Sequence, residues 1–246
     1  MGGEIAAAER IVGSSDVLLL CDHASNAVPG DIDLGVGCDV LSHHVAVDIG
    51  AAPLTRALAR SLDAPAVLGT VSRLVIDLNR ARHQTGLVPT VSDGVVIPGN
   101  SDADVDARIE RFHEPYHRVV RAEVVRHRPR LIVAVHSFTR QLGHGGSPAR
   151  PWEVGILHNP RLGGAAGPAL AFLRDEGLTV GDNEPYSGER YNATLDRHAL
   201  GIAAINVEVR NDLIADDAGV SRWSDILSRM IGHVRNSLAQ TAPLAT

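Results

Sequence analysis

The sequence predicts an α/β fold, a three-layer αβα arrangement with a central mixed, mostly parallel sheet between two layers of helices. Apolar runs rich in β-branched residues alternate along the chain with amphipathic stretches at helical spacing. Three of these runs, at 17–23, 131–139 and 203–210, end on ionisable side chains. Because the carboxyl ends of parallel strands meet at one edge of a sheet, we expect these side chains to share one site.

Each element is predicted from a local pattern of apolar and polar residues. Strands are expected where short apolar runs are bounded by turn residues, and helices where apolar residues recur every three or four positions. The long Gly- and Pro-containing loop 81–99 is of a kind that is usually functional. In order, the predicted elements are strand 16–21, helix 42–62, strand 66–68, strand 72–80, helix 102–127, strand 131–139, strand 153–157, helix 163–176, strand 178–181, a short helix ending at 198, strand 203–209 and helix 220–239.

The composition is typical of a cytoplasmic protein that does not bind nucleic acid. A chain of 246 residues is a common size for one α/β domain, so we predict a single domain over 1–246 with loose tails at 1–9 and 240–246. A net charge of -6 and the absence of a basic block argue against binding to phosphates. The start of the chain has no apolar signal-peptide core, and no apolar run is long enough to span a membrane.

Three common catalytic signatures are absent from the sequence. It has no P-loop, no glycine motif for dinucleotides and no nucleophile elbow. Nucleotide binding and serine-hydrolase chemistry therefore lose support. What remains is a set of histidines and carboxylates at strand ends, and this ligand set suits Zn²⁺ in a catalytic site that keeps one position open for water.

Candidate metal ligands come from the ends of the apolar runs. His23 and His136 are the first two, since each follows a predicted buried strand. Asp48, which is anionic and is predicted near the start of a helix, is the preferred third ligand, with His44 one turn earlier as its partner. Asn26 is the alternative, although a neutral amide is a weak Zn²⁺ ligand. Structural roles for the histidines, and stabilisation of a helix amino terminus by Asp48, are the competing interpretations.

Glu208 is the candidate general base. An ionised side chain within the apolar run 203–209 is costly unless it faces a metal or another cation. A carboxylate there is suited to take a proton from a metal-activated water and pass it to a leaving nitrogen. A structural salt bridge with Arg210 is the competing interpretation, because the two side chains lie two residues apart on one strand.

A substrate carboxylate has candidate partners after the 72–80 run. Arg80 offers paired hydrogen bonds and Asn79 offers one more. We expect Asp77 to orient one of the arginines. A role on the protein surface is the competing interpretation for any single arginine. The further cationic candidates are Arg73, Arg150 and Arg210.

Seven stretches of the chain, taken in order, resemble the N-formylglutamate amidohydrolase family. They span roughly residues 17–215, and their order makes the resemblance specific although each stretch alone is a weak signal. The stretches are 22–29, 44–51, 72–80, 112–117, 136–139, 181–188 and 208–214.

The resemblance implies a zinc carboxypeptidase-like fold of the phosphorylase/hydrolase-like type. That family is similar in layout to the zinc carboxypeptidases and to the aspartoacylase and succinylglutamate desuccinylase group, which hold zinc through H-x-x-E and a later histidine. Carried over, this implies that His23 and His136 are ligands and that Glu208 is the base. It also implies that Asn79 and Arg80 bind a carboxylate. Asn26 departs from the pattern, because it stands where the wider group has a glutamate ligand.

The expected function is that of a zinc-dependent amidohydrolase. It would act as a deacylase that removes a small acyl group, formyl in the family's named case, from an N-acyl amino acid such as N-formylglutamate. A carboxypeptidase-like zinc peptidase and a metal-free binding protein on the same fold are the alternatives. A crowded pocket under the loops 81–99 and 140–150 would favour the small substrate, whereas an open groove would favour peptides.

Overall fold

Nine strands and seven α-helices are found in the computed structural model, which describes residues 6–143 and 147–241. The strands are β1 (Ala8–Ile11), β2 (Val17–Cys21), β3 (Ala66–Gly69), β4 (Val91–Ser92), β5 (Val95–Val96), β6 (Leu131–Phe138), β7 (Val154–Leu157), β8 (Val180–Asp182) and β9 (Ala203–Arg210). The helices are α1 (Cys38–Leu41), α2 (Ala51–Leu62), α3 (Val105–Arg108), α4 (Glu114–His127), α5 (Ala166–Asp175), α6 (Ala193–His198) and α7 (Asp217–Thr241). Shorter turns of helix are a π turn at Ile109–His113 and 3-10 turns at Pro98–Asn100, Pro160–Leu162 and Asn211–Leu213.

The central sheet has seven strands in the order β1-β3-β2-β6-β9-β7-β8, while β4 and β5 form a separate hairpin. Strands β3, β2, β6 and β9 run parallel to one another. The edge strand β1 is antiparallel to β3. On the other side of the sheet, β7 is antiparallel to β9 and pairs parallel with the edge strand β8. The predicted mixed, mostly parallel sheet is therefore confirmed.

Two apolar cores lie on opposite faces of this sheet. Leu19 of β2 packs in the same core as Trp223 of α7, together with α2 and α5. Leu18 and Leu20 point the other way, into a core that contains Tyr116 of α4. Since successive side chains of a strand alternate between faces, a strand with helices on both sides has a continuous apolar sequence. That is why β2 and β6 are recognisable in the sequence.

The helix predicted over 42–62 begins later than expected. The chain forms α1, then a series of turns, and the regular helix α2 starts at Ala51. Gly50 precedes it with a φ of 80°, a left-handed conformation that does not continue a helix. The consequence for function is that Asp48 lies in a turn, where its backbone N–H donates to the carbonyl of His23 at 3.1 Å.

The strand predicted at 72–80 is wrong. These residues are buried but form consecutive turns. The Ser72 hydroxyl accepts from the Leu74 N–H at 3.2 Å, and the Asp77 carboxylate accepts from the Asn79 N–H at 2.9 Å. Side chains that bond to nearby backbone in this way compete with strand pairing. An apolar run therefore packs in the core here without joining the sheet.

Parts of both predicted loose tails belong to regular elements. Ala8 and Glu9 already belong to β1, which pairs antiparallel with β3 at the edge of the sheet. At the other end, α7 continues to Thr241. The rest of the two predicted tails, at 1–5 and 242–246, lies outside the described residues. Among the helices that are described, none combines the length and apolarity needed to cross a membrane.

Gly50 provides a test of this fold. A Cβ at this position would lie 2.3 Å from the carbonyl oxygen of Ile214, and an L-residue there would also be strained by the positive φ. We expect Gly50→Ala to lower the free energy of unfolding by about 2–4 kcal/mol. Gly86 is the matched control, because it has a φ of 86° with nothing within 4 Å of the added Cβ.

For Gly86→Ala we expect the free energy of unfolding to fall by only about 1 kcal/mol, which reflects backbone strain alone. Urea unfolding of the two variants measures the difference. Equal losses would show that the close approach of residue 50 to Ile214 contributes nothing.

Candidate active site

The candidate site lies at the carboxyl ends of β2, β6 and β9. β2 ends at Cys21, so that Asp22 and His23 follow it directly. His136 on β6 and Glu208 on β9 are register partners on neighbouring parallel strands. The expectation that three apolar runs bring their ionisable residues to one edge of the sheet is therefore met by the geometry.

Two histidines converge on one carboxylate at this edge. His136 Nδ1 lies 2.9 Å from Asp48 Oδ2, and His23 Nδ1 lies 3.4 Å from the same oxygen. All three residues are buried, and one ligand atom from each falls within 4.8 Å of the others. Two imidazoles and a carboxylate are a donor set that fits a catalytic Zn²⁺. The structure thus groups the three residues predicted as metal ligands.

A second carboxylate contacts the far side of each imidazole. His23 Nε2 lies 2.7 Å from Asp77 Oδ1, and His136 Nε2 lies 3.4 Å from Asp22 Oδ2. Contacts of this kind orient an imidazole ring, and here they leave Nδ1 of both rings facing Asp48. Asp77 was expected to orient an arginine, and it does contact one, but its contact with His23 was not foreseen. Asp22 was also missed, although its place directly before His23 was a signal.

The electrostatics of the cluster are dominated by buried acids. Burial by itself disfavours a charged Asp48, yet His23, His136 and Arg73 hold its pKa well below the ordinary range. Burial likewise disfavours a charged His136, but the carboxylates of Asp22 and Asp48 outweigh it and raise the pKa of this imidazole well above its usual value. The surrounding carboxylates therefore favour a positive charge on the imidazoles. When the imidazoles are neutral, the aspartates outnumber the single guanidinium of Arg73, and this excess of negative charge favours a bound cation.

Glu208 stands apart from this network. Its side chain is buried, and its Oε2 atom has no hydrogen-bond partner among the described residues. Burial raises the pKa of Glu208 from 4.5 to about 7, with a further increase from the charge of Asp48 that His136 opposes. The salt bridge considered with Arg210 is not formed, because Arg210 Nε donates to Asp212 Oδ1 at 2.7 Å. The Glu208 carboxyl group is therefore available for proton transfer.

These groups face a cavity of about 240 Å³. The β4–β5 hairpin closes one side of it, since Asp93 Oδ2 contacts His44 Nε2 at 2.8 Å and accepts from the Gly143 N–H at 3.0 Å. His44 was predicted to support Asp48 from one turn earlier on a helix. It lies instead in the turns before α2, at the wall of the cavity, where it contacts Asp93.

Two of the predicted cationic residues line the cavity. Arg73 is paired with both Asp48, at 3.0 Å, and Asp77, at 3.1 Å. Arg80 is less engaged, since its Nε lies 3.6 Å from Asp77 and its guanidinium stacks 4.8 Å from the ring centre of Tyr191. Of the cavity arginines, Arg80 has the greater capacity to bind an anion.

The two asparagines considered for the site have other partners. Asn79 donates from Nδ2 to the Tyr191 carbonyl and accepts from the Thr194 N–H, both at 3.0 Å. It borders the cavity, but both ends of its amide are bonded to backbone. Asn26 is exposed and donates to the carbonyl of Leu41 at 3.0 Å. Asp48, not Asn26, accompanies the two histidines.

Tyr186 is a cavity residue that sequence reasoning missed. Its hydroxyl oxygen accepts a hydrogen bond from Arg150 Nη1 at 3.1 Å, and the Arg150 guanidinium stacks 4.9 Å from its ring centre. Burial raises the pKa of this phenol, so the hydroxyl keeps its hydrogen. Because its oxygen already accepts from Arg150, that hydrogen is available to donate into the cavity. Arg150 itself does not line the cavity.

A cluster of histidines and carboxylates beside a buried glutamate, at the carboxyl ends of parallel strands, is typical of a hydrolytic enzyme built on an α/β sheet. The family model of N-formylglutamate amidohydrolase matches residues 15–215. The chain belongs to the N-formylglutamate amidohydrolase family, and its activity class is amide hydrolysis. The resemblance seen in the sequence is thereby confirmed.

Two solved structures are similar to the whole chain. A gene product of Agrobacterium tumefaciens shares 34% sequence identity, with 97% of each chain covered and a TM-score of 0.87. The N-formylglutamate amidohydrolase of Ralstonia eutropha shares 18% identity over 96% of this chain and 99% of that one, with a TM-score of 0.68. At that identity the second likeness shows the fold alone. No curated protein matches the sequence.

The raised pKa of Glu208 predicts a pH-dependent stability for the metal-free protein. Between its ordinary pKa of 4.5 and the folded value of about 7, the folded state holds a proton that the unfolded state releases. This contribution is complete below pH 4.5 and is lost as the pH rises through 7. Relative to Glu208→Gln, the free energy of unfolding of the wild-type protein should fall by about 3 kcal/mol between pH 4.5 and pH 8.

Urea unfolding of both proteins with a chelator, at pH 5 and pH 8, checks this expectation. The variant should be the more stable protein at the higher pH. A stability difference that stays constant across this range would contradict the assignment of a buried, titrating Glu208.

Proposed function

We propose that this protein is a zinc-dependent amidohydrolase that removes a small acyl group from an N-acyl amino acid, with N-formylglutamate as the leading substrate. The observation that carries the proposal is the convergence of His23, Asp48 and His136 in one cavity with Glu208, whose Oε2 atom has no hydrogen-bond partner among the described residues. Family membership supports hydrolysis of an amide bond. The donor set supports the metal.

His23, Asp48 and His136 would hold the Zn²⁺ ion, and Asp22 and Asp77 would fix the two rings. The bound ion supplies a Lewis acid that polarises a carbonyl and lowers the pKa of water to about 7. Glu208 takes the proton from the attacking water and delivers it to the leaving nitrogen. A buried carboxyl group that faces the cavity is suited to both halves of this transfer.

Arg80 binds the substrate carboxylate through paired hydrogen bonds, with Tyr191 stacked on its guanidinium. Asn79 contributes by holding the backbone of the 191–194 segment, which differs from the direct contact first predicted. Arg73 stabilises Asp48 and Asp77 and is not required to contact substrate. Arg210 is tied to Asp212 and has no direct role in this scheme.

The size of the cavity favours a small substrate over a peptide. Its 240 Å³ lies below the range of roughly 300–1,000 Å³ typical of pockets for drug-sized ligands. The contacts of Asp93 with His44 and Gly143 hold the β4–β5 hairpin against one wall of the cavity and narrow it further. A metal-free binding protein is the less favoured alternative, because Asp48 supplies the anionic ligand that Asn26 lacks. Function in the cytoplasm stays a prediction from composition.

Glu208→Gln tests the proposed base. With zinc present, we expect the kcat for N-formylglutamate to fall about 10²- to 10⁴-fold, while the zinc content per chain stays at the wild-type value. Steady-state kinetics and metal analysis of the purified variant measure both quantities. Turnover close to wild type with zinc bound would remove Glu208 from the mechanism.

Asp48→Asn tests the proposed metal site. The neutral amide should weaken zinc binding by at least 10-fold, measured by competition with a chromogenic chelator. Wild-type protein assayed in parallel on a panel of N-formyl and N-acyl amino acids defines the substrate class. If wild-type protein neither binds zinc nor hydrolyses any member of the panel, the proposed function is wrong.

Arg80→Met tests the proposed carboxylate contact. Loss of a charge-assisted pair should raise KM about 10- to 100-fold. Arg82→Met is the matched control, because Arg82 is an exposed neighbour that lies 3.7 Å from Glu114 and outside the catalytic cavity. Equal KM values for the two variants would overturn the assignment of Arg80.

A further inference from the structure

Three histidines form a second cluster behind the candidate site, in a part of the chain that the proposed mechanism does not use. His113 ends the π turn and His117 lies in the first turns of α4; both are buried, while His198 ends α6. His117 Nδ1 lies 2.9 Å from His198 Nε2, and the two rings are stacked with their centres 5.1 Å apart. π turns inside helices occur frequently at functional sites.

The hydrogen-bond partners of the three rings determine which ring nitrogens carry a hydrogen. His113 Nε2 lies 2.9 Å from the carbonyl of Arg80, and His117 Nε2 lies 3.1 Å from the carbonyl of Leu78. A carbonyl only accepts, so each of these nitrogens carries a hydrogen. A neutral His117 then accepts at Nδ1, and His198 must donate from Nε2. When the three rings are neutral, each carries its hydrogen on Nε2. His113 Nε2 and His117 Nε2 also lie 3.2 Å from each other, and in this arrangement their N–H groups donate to two different carbonyls.

A charged His117 would satisfy the same distances, but its surroundings oppose it. Burial lowers the pKa of His117 to about 2, and the neighbouring histidines and Arg197 act in the same direction. Burial also lowers the pKa of His198 to about 4 and that of His113 below its ordinary value. The charged groups that face the cluster are Asp22, Asp77, Glu114, Arg121 and Arg197.

The two carbonyls that the cluster holds belong to the turn that presents Arg80. The Leu78 carbonyl also accepts from the Thr194 hydroxyl at 3.2 Å, so this turn is bonded to both α4 and α6. We infer that His113, His117 and His198 act as positioning residues that fix the backbone at 78–80 and thereby place the Arg80 guanidinium for the substrate carboxylate. This inference rests on the proposed role of Arg80.

The protonation of the cluster is tested without any substrate. Nitrogen-15 NMR of the histidine rings in the wild-type protein at pH 6 should show three neutral rings that carry the hydrogen on Nε2. At that pH an ordinary histidine is more than half charged. A charged His117, or a hydrogen on Nδ1 of His113 or His117, would overturn the inference.

The positioning role is tested with His117→Phe, which keeps a ring of similar size and removes both hydrogen bonds. We expect KM to rise about 10-fold, kcat to stay within about threefold of wild type, and zinc affinity to be unchanged, because the metal ligands are not touched. His117→Gln retains an N–H donor, so its KM should lie between those of His117→Phe and wild type. His127→Phe is the matched control on the same helix, where His127 contacts Glu123 at 3.1 Å.

Hydrogen exchange separates the failure of this inference from the failure of the proposed function. Peptides that cover 74–84 should exchange faster in His117→Phe than in His127→Phe, whether or not the protein hydrolyses any substrate in the panel. Equal exchange, or equal KM values in the two variants, overturns the positioning role. If His117→Phe does not fold, the same KM and hydrogen-exchange comparison is made with His113→Gln, and together with the NMR measurement on wild-type protein it tests the positioning role.

Discussion

The burial of several carboxylates at one edge of the sheet is the constraint on which the site depends. Asp22, Asp48, Asp77 and Glu208 all lie within the protein, close to two histidines and Arg73. Carboxylates are excluded from apolar interiors unless positive charge or hydrogen bonds compensate them. Here the imidazoles and a guanidinium provide that compensation for the three aspartates, and Glu208 is left to hold its proton by a raised pKa. The cluster is thus prepared for a cation before any ligand is considered.

The surrounding fold serves to bring these acids together. The parallel pairing of β6 and β9 sets His136 next to Glu208, and the end of β2 supplies Asp22 and His23. The remaining groups come from turns outside the sheet. Turns allow a short segment to project a carboxylate at an angle that a regular strand or helix does not offer, as Asp48 and Asp77 show.

The residues on strands were predictable, and those on turns were only partly so. A strand buried on both faces leaves a continuous apolar run in the sequence, so the positions of His23, His136 and Glu208 followed from simple patterns. The 72–80 segment also contains an apolar run, at 74–76, but forms turns because the Ser72 and Asp77 side chains bond to nearby backbone. Which side chain pairs with which also lay beyond sequence reasoning. Asp22 and Tyr186 were missed since their roles depend on contacts between distant segments.

Asp77 contacts both the histidine side and the arginine side of the candidate site. One of its oxygens contacts His23, and the other contacts Arg73 and lies near Arg80. The metal position and the anion position therefore share a single carboxylate as a common neighbour. A change in charge at one position alters the free energy of binding at the other, and thermodynamic linkage makes that effect reciprocal. The proposed ion and the proposed substrate carboxylate carry opposite charges at these positions, so we expect each to be bound more tightly in the presence of the other.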